Sequence, residues 1–166
     1  MQSPPLKIIL LPKDDLALYL LEEDLYENKY QLNSWGRTVP SVIRSMVVEG
    51  TLPGVDICSP QQLAFYSLWI AIDPATDNIV AELQLKGLPD NQGYVEIGYE
   101  TFEPFQKKGY MAVFIQEMIK WASSHSIKGF IAETLTANSA SIQLLKKLGF
   151  IPVKQLDQII LWKKKF

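Results

Sequence analysis

Several residue types with recognisable chemistry are scarce in this sequence. Of its 166 residues, only Cys58 is a cysteine and only His125 is a histidine. A single cysteine excludes an internal disulfide framework and fits a reducing compartment. One cysteine and one histidine are also too few for the usual zinc ligand sets, so we expect no metal.

Long apolar runs and an excess of charge are missing as well. The apolar run near the N-terminus extends only from Ile8 to Leu11, which is too short for a signal peptide, and no stretch approaches the roughly 18 apolar residues of a membrane span. The net charge is −2 and the pI is near 5.4, so no overall basic field exists to bind nucleic acid. We expect a soluble cytoplasmic protein whose partners include neither membrane nor nucleic acid.

The composition and the patterning of the sequence predict one mixed α/β domain over residues 1–166. The apolar fraction of 48% is enough for a substantial core. Apolar, β-branched stretches and segments with helical periodicity predict the element order β-α-α-β-β-β-α-β-α-β-β. The strand–helix–strand unit from Tyr94 to Glu133 requires a right-handed parallel crossover. The fold class is therefore α/β (α+β mixed sheet), with about seven strands and helices on both faces.

The expected elements follow from turn residues and periodicity. Asp14 can cap a helix after the first strand, and Pro40 suits the first turn of a second helix that ends near Gly50. Residues 52–62 are rich in proline and glycine and are predicted to be loop. Strands are predicted at residues 6–11, 64–72, 79–85, 94–102, 128–133, 150–154 and 158–163, and later helices at 108–123 and 138–148.

The most informative stretch is the loop between the strand at 94–102 and the helix that follows. It reads Gln106-Lys107-Lys108-Gly109-Tyr110-Met111. Free backbone N–H groups and the positive end of the helix dipole favour an anion there, and glycine lets that anion approach the backbone. The loop therefore fits a pyrophosphate cradle, or equally a plain helix start with two solvated lysines. It lacks the signatures of the nucleoside-triphosphate and dinucleotide loops.

Three motifs in this order resemble those of the GNAT family of N-acetyltransferases. Gln106-x-x-Gly109-x-Met111 is similar to the family's Gln/Arg-x-x-Gly-x-Gly/Ala acyl-CoA loop. Residues 138–150 are similar to its second motif, in which Asn and Ser/Ala open a helix that ends in Gly-Phe. Glu96-Ile97-Gly98-Tyr99 is similar to the branch that contains ribosomal-protein alanine and serine N-terminal acetyltransferases. The close resemblance covers residues 79–150.

The resemblance implies acetyl-CoA as cosubstrate, held where two parallel strands splay apart. Loop amides are implied to bind the pyrophosphate, and strand backbone is implied to pair with the pantetheine arm and to polarise the acetyl carbonyl. Met111 replaces the usual Gly or Ala, which is tolerable if its side chain points into the core. The implied cofactor-binding residues are Thr101, Phe102, Gln106, Lys107, Lys108, Gly109, Tyr110, Met111 and Asn138.

The implied reaction is direct attack of a neutral amine on a thioester, which requires a base and an acid. The family's usual acid, a tyrosine, is replaced by Leu145, and Ser141 is the substitute candidate unless it only bonds to the helix backbone. Glu96 is the first candidate for the base and Glu82 the second, although both also fit a solvated strand face.

The leading hypothesis is therefore an acetyl-CoA-dependent N-acetyltransferase, an acyltransferase that transfers groups other than aminoacyl groups. Its acceptor is a primary amine, either the N-terminal amine of a protein or peptide or a small-molecule amine. A catalytically silent acyl-CoA-binding or regulatory domain is the alternative, and a generic α/β domain with another phosphate ligand is a third. Oligomeric state stays open, with a homodimer among the options. Four aromatic residues fit either the acceptor pocket or the core: Tyr26, Tyr30, Trp35 and Phe65.

Overall fold

A computed structural model describes residues 4–21, 24–39, 44–45 and 47–166, and its centre is one mixed β-sheet. The strands are β1 (Lys7–Leu10), β2 (Leu68–Asp73), β3 (Asn78–Leu85), β4 (Tyr94–Thr101), β5 (Gly129–Leu135), β6 (Ile151–Leu156) and β7 (Ile159–Lys165). They form a seven-stranded sheet in the order β1-β2-β3-β4-β5-β7-β6. Only β4 and β5 pair in parallel; the other neighbouring strands are antiparallel. The predicted mixed α/β fold is confirmed.

Helices connect the strands and cover the sheet. They are α1 (Lys13–Leu21), α2 (Leu25–Lys29), α3 (Leu52–Ile57), α4 (Leu63–Tyr66), α5 (Tyr110–Ser124) and α6 (Ser139–Lys147), with a short π-helix at Val47–Thr51. In the described parts of the chain, no helix is long and apolar enough to cross a membrane. The predicted second helix depends largely on residues 40–43 and 46, which lie outside the described ranges.

Two predicted boundaries in the N-terminal half are wrong. Residues 52–57 were expected to be loop but form α3, because Pro53 lies in the first turn, where its missing N–H costs no hydrogen bond, and Val55 is buried. The strand expected at 64–72 begins only at Leu68, because the residues before it form α4. Trp69 fixes that junction by donating from Nε1 to the carbonyl of Ala64 at 3.0 Å.

Helices lie on both faces of the sheet, as the alternation of side chains along a strand shows. Glu82 and Leu83 are neighbours on β3 and therefore point to opposite faces. The Glu82 face carries α1, since Tyr19 donates a hydrogen bond to Glu82. Leu83 pairs with Trp69 on β2, and the Trp69 ring lies 5.1 Å from that of Trp121 on α5. The opposite face therefore carries α5.

Candidate functional site

The two parallel strands part halfway along their length. Pairing between β4 and β5 runs from Tyr94–Gly129 to Ile97–Ala132 and then stops. Beyond that point β4 stays paired with β3 as far as Thr101, and β5 stays paired with β7 as far as Leu135. Residues 98–101 and 133–135 therefore have a strand neighbour only on their outer sides. A gap opens in the middle of the sheet.

The backbone of β4 directs polar groups into this gap at alternate residues. The amide of Lys86 donates to the Glu96 carbonyl at 2.8 Å, and the amide of Phe102 donates to the Val80 carbonyl at 3.2 Å. Because the bonding direction alternates along a strand, even-numbered residues here bond toward β3. Tyr99 and Thr101 therefore present their N–H and C=O groups on the side of the gap.

Phe102 differs from the other residues implied to bind the cofactor. Its amide is used by Val80 and its carbonyl accepts from the Phe105 amide at 2.9 Å, so neither backbone group is free for a pantetheine arm. Its side chain is buried beside Trp35, with the ring centroids 5.3 Å apart. The backbone groups of Tyr99 face the gap instead. The signal that could have found it is the same alternation, counted along β4.

The loop after β4 exposes a run of amides. Lys107 and Gly109 both have positive φ, at 61° and 87°, so the backbone curls before α5 begins. Within the described residues, the amides of Lys107, Lys108 and Gly109 have no hydrogen-bond acceptor, and no side chain caps α5. The first amides of the helix lack intrahelical partners by geometry. Met111 is 6% exposed and belongs to the core, which is the condition under which it can replace the usual Gly or Ala.

Lys107 and Gly109 line a cavity of about 730 Å³, here called the amide cleft. Its wall includes Tyr99, Thr101, the loop residues Gln106, Lys107 and Gly109, the α6 N-cap Asn138 and the α6 residue Ser141. Lys147 also lines it, whereas the Lys108 ammonium lies 5.4 Å from the centre of the Phe105 ring. The amide cleft therefore has two lysines and a row of N–H donors, which suits a polyanionic ligand.

At the start of α6, Asn138 and Ser141 meet the cleft. The Asn138 side chain accepts from the Ser141 amide at 3.1 Å, an N-cap that leaves the serine hydroxyl free of that role. Nearby, the buried Tyr99 hydroxyl has no hydrogen-bond partner among the described residues. Burial raises the pKa of Tyr99, and the adjacent Ser141 side chain partly opposes that rise. Two hydroxyl groups thus lie together beside the gap.

A second cavity, of about 520 Å³, lies beside β3 and β4 and is here called the carboxylate cavity. Glu82 and Glu100 line it and are direct cross-strand neighbours, so their carboxylates share one face. Burial and the charge of Glu100 raise the pKa of Glu82 to about 7, against the opposing effects of Tyr19 and Arg37. Tyr99 and Glu100 line both cavities. Strand β4 is therefore the wall between them.

The other predicted base, Glu96, lies in a different environment. It forms an ion pair with Lys86 and is outside the linings of both cavities. Its position on β4 is two residues before the gap begins, where β4 and β5 are still paired. The structure therefore brings Glu82, and not Glu96, to the part of β4 that separates the two cavities.

The four aromatic residues named from the sequence have different positions. Phe65 lines the carboxylate cavity, Tyr26 is buried in the core, and Tyr30 is exposed and donates to Asp15. Trp35 packs against aromatic rings beside the loop and donates to the Ile79 carbonyl. Sequence reasoning missed Tyr19 and Arg37, which act on Glu82 from distant parts of the chain.

Comparison with known proteins agrees with this geometry. A sequence model described as an acetyltransferase (GNAT) domain matches residues 23–151, most of the chain. The chain therefore belongs to the GNAT family of acetyltransferases. One curated relative, the protein named uncharacterized N-acetyltransferase YjdG of Bacillus subtilis, is 33% identical over 87 residues, which is 52% of this chain and 52% of that relative. The matched stretch thus spans about half the length of the curated relative.

Solved structures show the same fold at low sequence identity. The ribosomal-protein-S5-alanine acetyltransferase of Vibrio fischeri superposes with a TM-score of 0.61 at 16% identity, covering 99% of this chain and 95% of that one. The spermidine/spermine N-acetyltransferase SpeG of Vibrio cholerae, as a mutant form, has a TM-score of 0.61 at 11% identity, with 97% and 95% covered. At these identities the likeness concerns the fold.

Proposed function

We propose that this chain is one catalytic domain that transfers the acetyl group of acetyl-CoA to a primary amine in a ternary complex. The observation that carries the proposal is the row of unpartnered amides at residues 107–109 beside the gap between β4 and β5. Free N–H groups at a helix start favour an anionic ligand, and Lys107 and Gly109 line a cavity that Lys147 also borders.

The amide cleft fits acetyl-CoA group by group. The loop amides would hold the pyrophosphate, with Lys107 and Lys147 adding positive charge. The Thr101 carbonyl already accepts from Nε2 of Gln106 at 3.2 Å, so the backbone groups of Tyr99 and the amide of Thr101 would pair with the pantetheine arm in the gap. One of these two amides would donate to the acetyl carbonyl. Acetyl-CoA, when bound, supplies an activated thioester. All of these contacts need main-chain groups, which explains why Met111 is tolerated in the loop.

Glu82 is the base that we propose for the acceptor amine. A free amine is mostly protonated at neutral pH, so a group must take a proton before the nitrogen can attack. A carboxyl with a pKa of about 7 is well matched to that step near neutral pH. Glu96 is less suited, because its charge is already paired with Lys86. The amine would enter through the carboxylate cavity, on the other side of β4 from the amide cleft.

Ser141 is the proton donor that we propose for the departing thiolate. Leu145, at the position of the family's usual tyrosine, is fully buried and has no proton to give. Ser141 lines the amide cleft, and the Tyr99 hydroxyl beside it stays protonated at neutral pH. Ser141, backed by Tyr99, would pass its proton to the thiolate and be reprotonated from solvent, while Glu82 would release the proton of the amine to solvent. A thiolate whose conjugate acid has a pKa of about 8.5 is already a fair leaving group, so this step needs only modest help.

The acceptor class is left to an activity test. The solved relatives include one named for a ribosomal protein and one named for polyamines, so peptide N-termini and small amines are both candidates. Release of free thiol from acetyl-CoA should be measured with N-terminal peptides, polyamines, amino acids and aminoglycosides, and binding of acetyl-CoA should be measured by calorimetry. We expect saturable binding and turnover with at least one class.

A catalytically silent acyl-CoA-binding domain is the second candidate, and the buried Leu145 favours it. Saturable binding of acetyl-CoA without turnover on any amine would support that alternative over the transferase. Absence of binding would exclude both. A homodimer stays a proposal that sedimentation of the purified chain would test.

A further inference from the structure

The proposed base is in contact with a buried tyrosine from the N-terminal helices. The Tyr19 hydroxyl on α1 donates to Oε2 of Glu82 at 3.1 Å, across 63 positions of sequence. Tyr19 is 1% exposed and is not part of the lining of either cavity. Tyr19 therefore contacts Glu82 from the protein interior and would not touch an acceptor amine in the carboxylate cavity.

Arg37 and Tyr26 fix the ring of Tyr19. The Arg37 guanidinium lies 3.8 Å from the centre of the Tyr19 ring, and the Tyr26 ring meets that ring edge-on at 5.4 Å. Arg37 also donates from Nη2 to the Tyr19 carbonyl at 3.2 Å. Arg37 therefore contacts both the backbone and the ring of Tyr19.

An ion pair holds Arg37 in turn. Its Nε donates to Oε1 of Glu27 at 2.8 Å, and the two residues are 3% and 2% exposed. A buried pair of this kind fixes the position of Arg37, because separating the two charges would leave each of them unpaired in the protein interior. Glu27 of α2, Arg37, Tyr19 of α1 and Glu82 of β3 thus form one continuous buried chain of contacts.

We propose that Tyr19 is a positioning residue that holds the Glu82 carboxylate toward the carboxylate cavity and stabilises its ionised form, with the Glu27–Arg37 pair keeping Tyr19 in place. The inference deepens the proposed function and rests on Glu82 as its base. It also gives α1 and α2 a role in catalysis beyond shaping the acceptor pocket.

The charged groups around Glu82 determine how its titration should respond. The Tyr19 hydrogen bond and the Arg37 charge lower the pKa of Glu82, whereas burial and Glu100 raise it, with a net value of about 7. Lys86 also lines the cavity, but its ammonium is paired with Glu96. Removing the Tyr19 hydroxyl takes away a bond to the charged form, so the pKa of Glu82 should rise further.

Tyr19→Phe tests the inference with little change in packing. We expect the acidic limb of the kcat/KM profile to move to higher pH by about one unit, with about tenfold lower kcat/KM on that limb and recovery toward the wild-type value at high pH. The KM for acetyl-CoA should not change. Tyr26→Phe is the matched control, since it removes a hydroxyl from the adjoining buried ring and should leave the limb in place.

A direct titration separates this inference from the proposed function. The Glu82 carboxyl can be followed by carbon NMR against a Glu82→Gln spectrum, without any acceptor. A higher Glu82 pKa in Tyr19→Phe but not in Tyr26→Phe supports the inference; an unmoved Glu82 pKa, or an equal change in both variants, overturns it. If Glu82→Gln keeps wild-type turnover, the proposed base is wrong whatever this titration shows.

Discussion

The two cavities on either side of β4 are built from different kinds of group. The amide cleft depends on main-chain N–H groups from one loop and one strand edge. The carboxylate cavity depends on side chains, above all Glu82 and Glu100, whose surroundings come from α1 and from Arg37. Backbone sites tolerate side-chain changes and fail when the backbone conformation changes. Sites built from side chains are sensitive to single side-chain substitutions. Substitutions in one cavity should therefore leave the function of the other cavity nearly unchanged.

The largest expected effect is on the carboxylate side. Glu82→Gln keeps the shape of the side chain and an acceptor for Tyr19 but removes the base, so kcat should fall by about 10²- to 10⁴-fold. The dissociation constant of acetyl-CoA, measured by calorimetry, should stay within about twofold of wild type, because the amide cleft is untouched. Glu96→Gln is the matched control and should lose little turnover. The reverse ranking of these two variants would return Glu96 to the role of base.

The same substitution should stabilise the fold at alkaline pH. The pKa of Glu82 is raised from 4.5 to about 7, so the folded state binds this proton more tightly than the unfolded state. The stabilising contribution of the Glu82 proton is therefore fully present below pH 4.5 and is lost as the pH rises through 7. Glu82→Gln removes this loss and should raise the free energy of unfolding at pH 8 by up to about 3 kcal/mol. Urea unfolding of the wild type and of Glu82→Gln at pH 5 and pH 8 measures this difference in the free energy of unfolding. A difference that is the same at both pH values would mean that Glu82 titrates normally.

On the cleft side, the backbone conformation at Gly109 should matter more than any loop side chain. Its φ of 87° is costly for a β-branched residue, so Gly109→Val should re-form the loop and weaken acetyl-CoA binding by about tenfold or more. Met111→Leu changes a buried side chain at nearly constant volume and should stay within about twofold. Isothermal titration of both variants, with melting curves to check folding, compares them. Equal losses would argue against a backbone cradle.

The smallest expected effect concerns the two hydroxyl groups beside the gap. Ser141→Ala should lower kcat by about tenfold or less, because the thiolate leaves readily without full protonation. Tyr99→Phe should cost a similar amount. Since the two groups act in one step, the double variant should lose less than the product of the single losses. Fully multiplicative losses in steady-state kinetics would show that Ser141 and Tyr99 act independently.

The amide cleft was largely predictable from the sequence because its parts are local. The loop from Gln106 to Met111 and the cap at Asn138 both carry short motifs, and each adjoins an element with clear periodicity. The order of strands and helices along the second half of the chain followed from the same patterns. Phe102 was expected at the gap, but the alternation along β4 turns the Phe102 amide toward Val80 and leaves the backbone groups of Tyr99 facing the gap.

The carboxylate cavity was not predictable in the same way, because its contacts join distant segments. Sequence patterns placed Glu96 first and Glu82 second as the base, and the register and the ion pair with Lys86 reverse that order in our proposal. Nothing local marks Tyr19 or Arg37, which reach Glu82 through folding of the N-terminal third. Short helices such as α3 were hidden for a related reason, since tertiary burial of Val55 outweighs the proline and glycine around it.

Backbone amide resonances during a titration with acetyl-CoA give the most direct test of the cofactor site. In proton–nitrogen correlation spectra of the uniformly labelled chain, saturable changes should be largest for the amides of Lys107, Lys108, Gly109, Tyr99 and Thr101, for which the described residues provide no acceptor. Amides on the far edge of the sheet, in β1 and β6, should not move. Saturable changes confined to those outer strands, or none at all at millimolar acetyl-CoA, would contradict a cleft built from these N–H groups.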